Sequence, residues 1–313
     1  RKARAHGLAD LPRNTPALYN LGQQRWFGWA GASDSLWMAS VRPILDPREL
    51  GGNPRLVVHE GPGGELRYLV FNMNTMPGNT PEQKLAVRKA VATVVDRDAL
   101  SRDVYKGTYG PAYSVVPQSI PGANEAFKNV YGDRPDVARA RQFLTGAGVA
   151  LPVVLNLQYN PDHYGVSSSE EYAALKNQLD RTGLFQVNLQ STEWVTYTAE
   201  RVKDAYPVYQ LGWFPDFPDA DNYLTPFFLP DNFIVNHFDA PEIARLITAE
   251  ATEPDPAKRA ALIGQIQDAM ARDHISTLPL LTGKQIAVAD KDIDGILLDK
   301  SFKFQFTPLR KNT

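Results

Sequence analysis

The residues best suited to chemistry or ligand binding lie in one stretch, Tyr209-Gln210-Leu211-Gly212-Trp213-Phe214-Pro215-Asp216-Phe217-Pro218-Asp219-Ala220-Asp221-Asn222-Tyr223-Leu224. An apolar strand ends at a glycine and gives way to a loop that mixes large aromatics with carboxylates. Aromatic faces beside a few polar groups are typical of ligand pockets, and ligands of open α/β sheets gather beyond the carboxyl ends of strands. A carboxylate placed there pairs with an ammonium group, strongly where solvent is excluded. The same residues could instead be structural, with Trp213, Phe214 and Phe217 in the core and the aspartates forming turns and helix caps.

Other chemistry finds less support. Asp216, Asp219 and Asp221 lack the alternate-position series and central glycine of a calcium loop. The histidines His6, His59, His163, His237 and His274 never fall at the i, i+4 spacing of a helical metal pair. His237 and Asp239 could form a dyad only with a distant serine. The nucleophile-elbow, Walker, dinucleotide and metalloprotease motifs are absent. Neither a metal nor a cofactor is expected. The chain contains no cysteine, which excludes disulfides, thiolate metal sites and cysteine nucleophiles.

The elements that must position the loop follow from composition and periodicity. The 313 residues are 43% hydrophobic and 22% charged, with a net charge of −2. These values fit a folded globular chain and give no basic footprint for nucleic acid. Apolar runs such as Tyr68–Phe71 and Ile286–Ala289 are far shorter than the ~20 residues of a membrane-spanning helix. Residues 1–20 show no apolar signal-peptide core. Residues 1–50 have poor periodicity, hold Trp26, Trp29 and Trp37, and are expected to be irregular.

From Arg55 onward, strands and helices alternate. Arg55–His59 and Arg67–Asn72 read as strands joined by a Gly61-Pro62-Gly63-Gly64 turn. Thr80 and Pro81 open a helix, followed by a second at Arg97–Tyr105. Tyr109–Pro121 reads as an extended loop. Asp136–Thr145 is a helix and Pro152–Gln158 a strand. Ser168–Thr182 is a helix opened by a capping box of Ser168 with Glu171. Phe185–Leu189 is a strand, Glu193–Lys203 a helix and Val208–Gly212 a strand. Pro241–Ala251 and Pro256–Asp273 are helices, and Leu278–Leu281 and Gln285–Ala289 are strands. This alternation predicts an α/β domain with a largely parallel sheet.

Residues from about Arg55 to Leu309 resemble the peptide-binding receptors of ABC transporters, the dipeptide and oligopeptide group known as extracellular solute-binding protein family 5. Six ordered segments carry the resemblance. They are the hinge-like strand Tyr68–Asn72; Val87–Val91 followed by Val95–Asp98; Gly107 with Tyr109–Pro111 and Val116-Pro117; Glu193-Trp194 with Tyr197; Gly212–Leu224; and Leu278–Leu280. The wording of Tyr209–Phe217 is most similar to actinobacterial members.

The resemblance implies an α/β lobe of the periplasmic-binding-protein fold (type II, cluster C) with hinge strands, the first lobe being largely missing. It divides the chain into 1–72, a remnant of the N-terminal lobe with the first hinge strand; 73–285, the C-terminal ligand-binding lobe; and 286–313, a second hinge strand. It implies a non-catalytic, monomeric receptor outside the cytoplasmic membrane, at the cell surface, that closes around a peptide and delivers it to a membrane permease. The resemblance implies that in Gram-positive organisms such receptors are usually tethered by a lipidated N-terminal cysteine; this chain has neither that cysteine nor a signal and is expected to be a mature or truncated portion.

The implied ligand-binding residues are Asp216, which would grip the peptide ammonium, and Trp213, Phe214 and Phe217 around it. Tyr159, Asn160 and Trp194 would also contribute, with Asn222 and Tyr223 packing behind the loop. Dipeptide binders carry a carboxylate-gripping arginine just before the segment equivalent to Tyr159-Asn160-Pro161. Here Leu157 and Gln158 stand there, which favours oligopeptides over dipeptides and leaves non-peptide solutes open. The competing readings are an interaction protein that has lost transport, and a hydrolase using a Tyr/Asp or His/Asp group in the same cleft.

Overall fold

A computed structural model describes residues 55–301, 303 and 305–312; the expectations for residues 1–50 lie outside them. The chain divides into two compact units. One comprises Arg1–His59, Val288–Ile296 and Pro308–Thr313. Its described part contains the ribbon β7 (Ile293–Asp294) with β8 (Arg310–Lys311), and Arg55 paired to Asp290 and Asp292 at 3.0 and 3.1 Å.

The other unit, Glu60–Ala287 with Leu297–Thr307, holds the α/β body. Its elements, in order, are β1 (Leu56–Phe71, entering from the first unit), α1 (Pro81–Val94), α2 (Arg97–Ala99), β2 (Tyr109–Pro111), α3 (Ala126–Tyr131), α4 (Val137–Gly146), β3 (Val153–Tyr159), α5 (Ser167–Arg181), β4 (Phe185–Ser191), α6 (Trp194–Arg201), β5 (Val208–Trp213), α7 (Thr225–Phe228), α8 (Pro241–Thr252), α9 (Pro256–Ala269) and β6 (Thr277–Asp290). No helix of the described residues is long and apolar enough to cross a membrane.

The sheet runs β2-β6-β1-β5-β3-β4. The largely parallel sheet expected from the alternation is therefore corrected to a mixed one. Only β3–β4 and β3–β5 pair in parallel, whereas β1 lies antiparallel to β5 with Leu66 opposite Trp213 and Phe71 opposite Val208. The strand–helix–strand grammar holds only across β3-α5-β4-α6-β5, where each helix returns the chain to a parallel neighbour. β1 is not joined through those helices and runs the other way.

The local signals are explained by packing. Thr80 caps α1 by accepting the Gln83 N–H, Asp136 caps α4 through Arg139 N–H, and Glu193 caps α6 through Val195 and Thr196 N–H. α5 buries Tyr172, Leu175 and Leu179, spaced three and four apart. The outer edge of β4 is stopped by side chains, Asp180 accepting from Val187 N–H (2.8 Å) and Lys176 donating to Val187 C=O (2.7 Å). An edge blocked in this way cannot recruit another strand at that point.

Several expectations give way to tertiary contacts. Gly61-Pro62-Gly63-Gly64 is no turn; it lies inside the continuous strand β1. The glycines are there for close approach, since a Cβ on Gly63 would stand 2.0 Å from Gly283 O and one on Gly64 2.5 Å from Lys300 O. Leu278–Leu281 and Gln285–Ala289 likewise merge into β6. Tyr109–Pro111, expected in a loop, forms the edge strand β2 against β6. The capping box of α5 does not form: the helix starts without a side-chain cap, Ser168 is buried and accepts from Gln210 Nε2 at 3.2 Å, and Glu171 turns to Tyr105. The helix at Arg97 passes into a π-helical turn at Leu100–Val104.

Leu69, fully buried in β1 at the middle of the sheet, tests the core. Leu69→Ala should cost about 2–5 kcal/mol in urea unfolding. Val195→Ala, at 76% exposure on α6, should change stability by no more than about 0.5 kcal/mol.

Candidate ligand site at the carboxyl ends of the parallel strands

β5 ends at Trp213, and the loop that follows is fixed from behind. A 3-10 turn, Ala220–Tyr223, is capped by Asp219, whose Oδ1 accepts the Asp221 N–H at 2.9 Å. Asn222, in that turn, is buried and directs one oxygen back at the loop. Its Oδ1 accepts both the Trp213 indole N–H (2.9 Å) and the Asp216 backbone N–H (3.0 Å). Tyr223 is fully buried and its hydroxyl donates to Gly64 C=O on β1. Trp213 is half-buried, its ring edge-on to Phe227 at 5.1 Å and tilted against Phe233 at 5.6 Å.

The loop thereby holds Asp216 outward. Asp216 is exposed, and its carboxylate has no hydrogen bond or ion pair among the described residues. Phe214 and Phe217 flank it in sequence at 48% and 46% exposure. The neighbouring carboxylate is different. Asp219 takes both terminal nitrogens of Arg259, at 2.6 and 2.8 Å. Those hydrogen bonds hold its carboxyl below the usual carboxylate range.

The second group of expected residues sits at the end of β3. Asn160 is fully buried and saturated: its N–H donates to Gln210 Oε1 (3.0 Å), its amide donates to Asp162 (2.7 Å) and Thr192 C=O (3.0 Å), and its oxygen accepts the His163 N–H (2.6 Å). It shapes the turn instead of presenting a surface. Tyr159 stacks on Tyr172 at 5.5 Å. Trp194, at the start of α6, lies flat against His163 with centroids 3.7 Å apart. Burial lowers the His163 pKa, with Asp162 opposing. The two groups of residues are linked by Tyr164, whose hydroxyl accepts the Gly212 N–H at 2.9 Å and whose ring fills the space that a Cβ on Gly212 would occupy.

Beneath this end of the sheet lies a polar cluster that sequence reasoning missed. Arg67, 5% exposed, donates from Nε to Glu65 (2.9 Å), from Nη1 to the Tyr105 hydroxyl (3.1 Å), and from Nη2 to the Tyr109 hydroxyl (3.1 Å) and Tyr164 C=O (2.8 Å). Tyr105 and Tyr109 donate in turn to Glu171 and Glu65, each at 2.6 Å. Burial raises the Glu171 carboxyl, with Arg67 opposing. Arg67 is buried, with all three guanidinium nitrogens engaged, and serves as a brace between β1, β2 and α5; a ligand carboxylate finds no free guanidinium there. A charged residue inside the apolar run Leu66–Phe71 was the available signal.

Two candidate chemistries dissolve in the geometry. His237 pairs with Asp204 at 2.6 Å, not Asp239, and Asp204 is also held by Asn72 and Asn74, at the opposite end of β1 from Leu66 and Trp213. No metal-holding group of three or more carboxylates or histidines occurs among the described residues.

The sequence profile of the bacterial extracellular solute-binding proteins, family 5, matches residues 33–234. This chain belongs to that family. The family 5 chain is 26% identical over 253 residues to the oligopeptide-binding protein OppA of Bacillus subtilis, covering 77% of itself and 44% of that protein. It is 25% identical over 273 residues to a dipeptide-binding protein of Pseudomonas aeruginosa, covering 85% and 48%. It thus spans about half the length of the curated relatives it matches.

Solved structures show the same fold. HbpA2 from Haemophilus parasuis aligns with a TM-score of 0.73 at 19% identity, over 83% of this chain and 51% of that one. The dipeptide-binding protein of Pseudoalteromonas sp. SM9913, solved with Met-Leu, aligns with a TM-score of 0.70 at 21% identity, over 88% and 52%. The described body has the α/β architecture of the periplasmic peptide-binding proteins.

Asn222 is the test of the loop. Asn222→Ala removes the acceptor of two N–H groups and should lower stability by about 1–3 kcal/mol. Hydrogen exchange should show the loss concentrated at residues 213–217.

Proposed function

We propose that this chain carries the ammonium-gripping part of an extracytoplasmic receptor that captures peptides, oligopeptides in preference to dipeptides, for an ABC importer. The observation that carries the proposal is Asp216: an exposed carboxylate, unpaired among the described residues, on a loop whose backbone is pinned by Asn222 and whose neighbours in sequence include the half-exposed Phe214 and Phe217. A fixed anion beside apolar faces suits a peptide N-terminus, because the ammonium gains a charge-assisted hydrogen bond without reorganising the loop. The relatives named above bind oligopeptides and dipeptides, which supports the same ligand class here.

The rest of the peptide needs no sequence reading. Main-chain hydrogen bonds ignore side-chain identity, and water in side-chain pockets tolerates variety. Arg67 has no free guanidinium nitrogen, and no arginine stands at Leu157 or Gln158 to grip a dipeptide carboxylate. That favours longer peptides. Closure of a second lobe over the bound ammonium would exclude water and strengthen the pair with Asp216, and the closed state is what a permease would read.

Calorimetry on the gene's full product tests the reading. Asp216→Asn should weaken binding of a tetrapeptide with a free N-terminus by about 2–5 kcal/mol, and N-acetylation of the peptide should have a matching effect on the wild type. An unchanged dissociation constant in both experiments would make Asp216 a turn residue.

A further inference from the structure

The aromatic residues behind the Asp216 loop form a column that starts in the core and ends at the surface. Phe238, Phe228 and Phe227 are buried, with successive ring centroids 5.9 and 6.1 Å apart. Phe227 meets Trp213 at 5.1 Å, and Trp213 meets Phe233 at 5.6 Å with the two rings tilted by 55°. Exposure rises outward: Phe227 is 3% exposed, Trp213 is half-buried and Phe233 is 43% exposed. Phe233 is the open end of the column, and with Trp213 it makes an aromatic ledge.

Both rings of the ledge are fixed. Asn222 Oδ1 holds the Trp213 indole N–H at 2.9 Å. Phe233 donates its N–H to Pro226 C=O at 2.8 Å, and its C=O accepts from Arg201 Nη1 at 3.2 Å. Arg201 is 5% exposed, also donates to Ile234 C=O at 2.8 Å, and sets its guanidinium carbon 4.7 Å from the centre of the Phe233 ring. A ring held by a buried cation and a fixed indole loses little freedom when a ligand packs on it. The ledge also stands near Asp216. The indole N–H and the Asp216 backbone N–H share the Asn222 oxygen, which keeps those two nitrogens within about 6 Å of each other.

We propose that Phe233, backed by Trp213, is a specificity-determining residue that takes the first side chain of the peptide and selects apolar, above all aromatic, residues there. The assignment rests on the role proposed for Asp216. An ammonium held at Asp216 fixes the first residue of the peptide at this loop, and the first side chain then lies within one residue's length of it. An apolar side chain laid on the ledge removes its own surface and that of Phe233 from water. An aromatic one adds edge-to-face or offset contact with the two rings. A carboxylate there is repelled by Asp216, and the Arg201 guanidinium lies buried with its Nη1 on two carbonyl oxygens.

Calorimetry on the gene's full product tests this with three peptides: tetraalanine, and the same peptide with phenylalanine in first or in last place. The wild type should bind the phenylalanine-first peptide about tenfold or more tighter than tetraalanine, and the phenylalanine-last peptide within about twofold of it. In Phe233→Ala the advantage of the phenylalanine-first peptide over tetraalanine should fall to about twofold or less. The readout is that ratio, because a merely structural role would weaken all three peptides alike and leave it unchanged. Phe233→Leu, which keeps an apolar surface without a ring, should give an intermediate ratio and decides the matter should Phe233→Ala fail to fold. A wild type without the first-place advantage, an equal advantage for phenylalanine in last place, or a ratio undiminished in the variants would overturn the assignment and leave the proposed function standing. Absence of binding of all three peptides to the wild type would overturn both.

Discussion

Arg259 pairs with Asp219, and that pairing is what leaves Asp216 free. The two aspartates stand three residues apart on one loop, and a cation placed between them would neutralise the site. The arginine instead approaches from α9, behind the 3-10 turn, and uses its full fork on the aspartate that caps the turn. One carboxylate becomes structural, with its charge balanced and its pKa depressed. The other, Asp216, is left exposed and without a hydrogen bond or ion pair to its carboxylate among the described residues, as the proposed ligand role requires. A loop that must present an uncompensated anion needs its own backbone bonds met by something else, and Asn222 meets them.

The sheet supplies the platform for that division. β5 delivers Trp213 and the loop at its carboxyl end, β3 delivers Asn160 and Tyr164 beside it, and Tyr164 locks the two ends together at Gly212. β1 passes alongside with Arg67 opposite Gly212, so the buried arginine–tyrosine–glutamate cluster lies directly under the site. Glu65, Arg67 and Glu171 are costly to bury singly, and the tyrosine hydroxyls and ion pairs satisfy them together. Breaking one member would expose the rest to an uncompensated charge, which makes the platform stiff at the end where a ligand would dock.

Much of this is legible in the sequence. The strand–glycine–aromatic–carboxylate order of Tyr209–Leu224 marked the loop, and the caps at Thr80, Asp136 and Glu193 marked three helix starts, because those signals act within a few residues of themselves. The illegible parts depend on partners far away in sequence. Gly61–Gly64 carries turn composition, yet its glycines answer to the crowding of Gly283 and Lys300. Ser168 and Glu171 have capping-box spacing, yet Gln210 and Tyr105 claim them. Arg67 and Glu171 are a hundred residues apart, and Arg259 and Asp219 lie on different elements; no periodicity links such pairs. Alternation of strand and helix fixes the direction only of strands that the helices join, so it does not reveal that β1 runs antiparallel to β5.

On the proposed reading, the loop after β5 holds Asp216 unpaired so that a ligand ammonium can take the place of the missing partner. A crystal structure of the gene's full product with a bound, N-terminally free tetrapeptide tests it most directly. The peptide ammonium is expected within about 3 Å of the Asp216 carboxylate, with Asp219 still on Arg259 and Asn222 still holding the loop. An ammonium met by another residue, with Asp216 left in solvent, would contradict it.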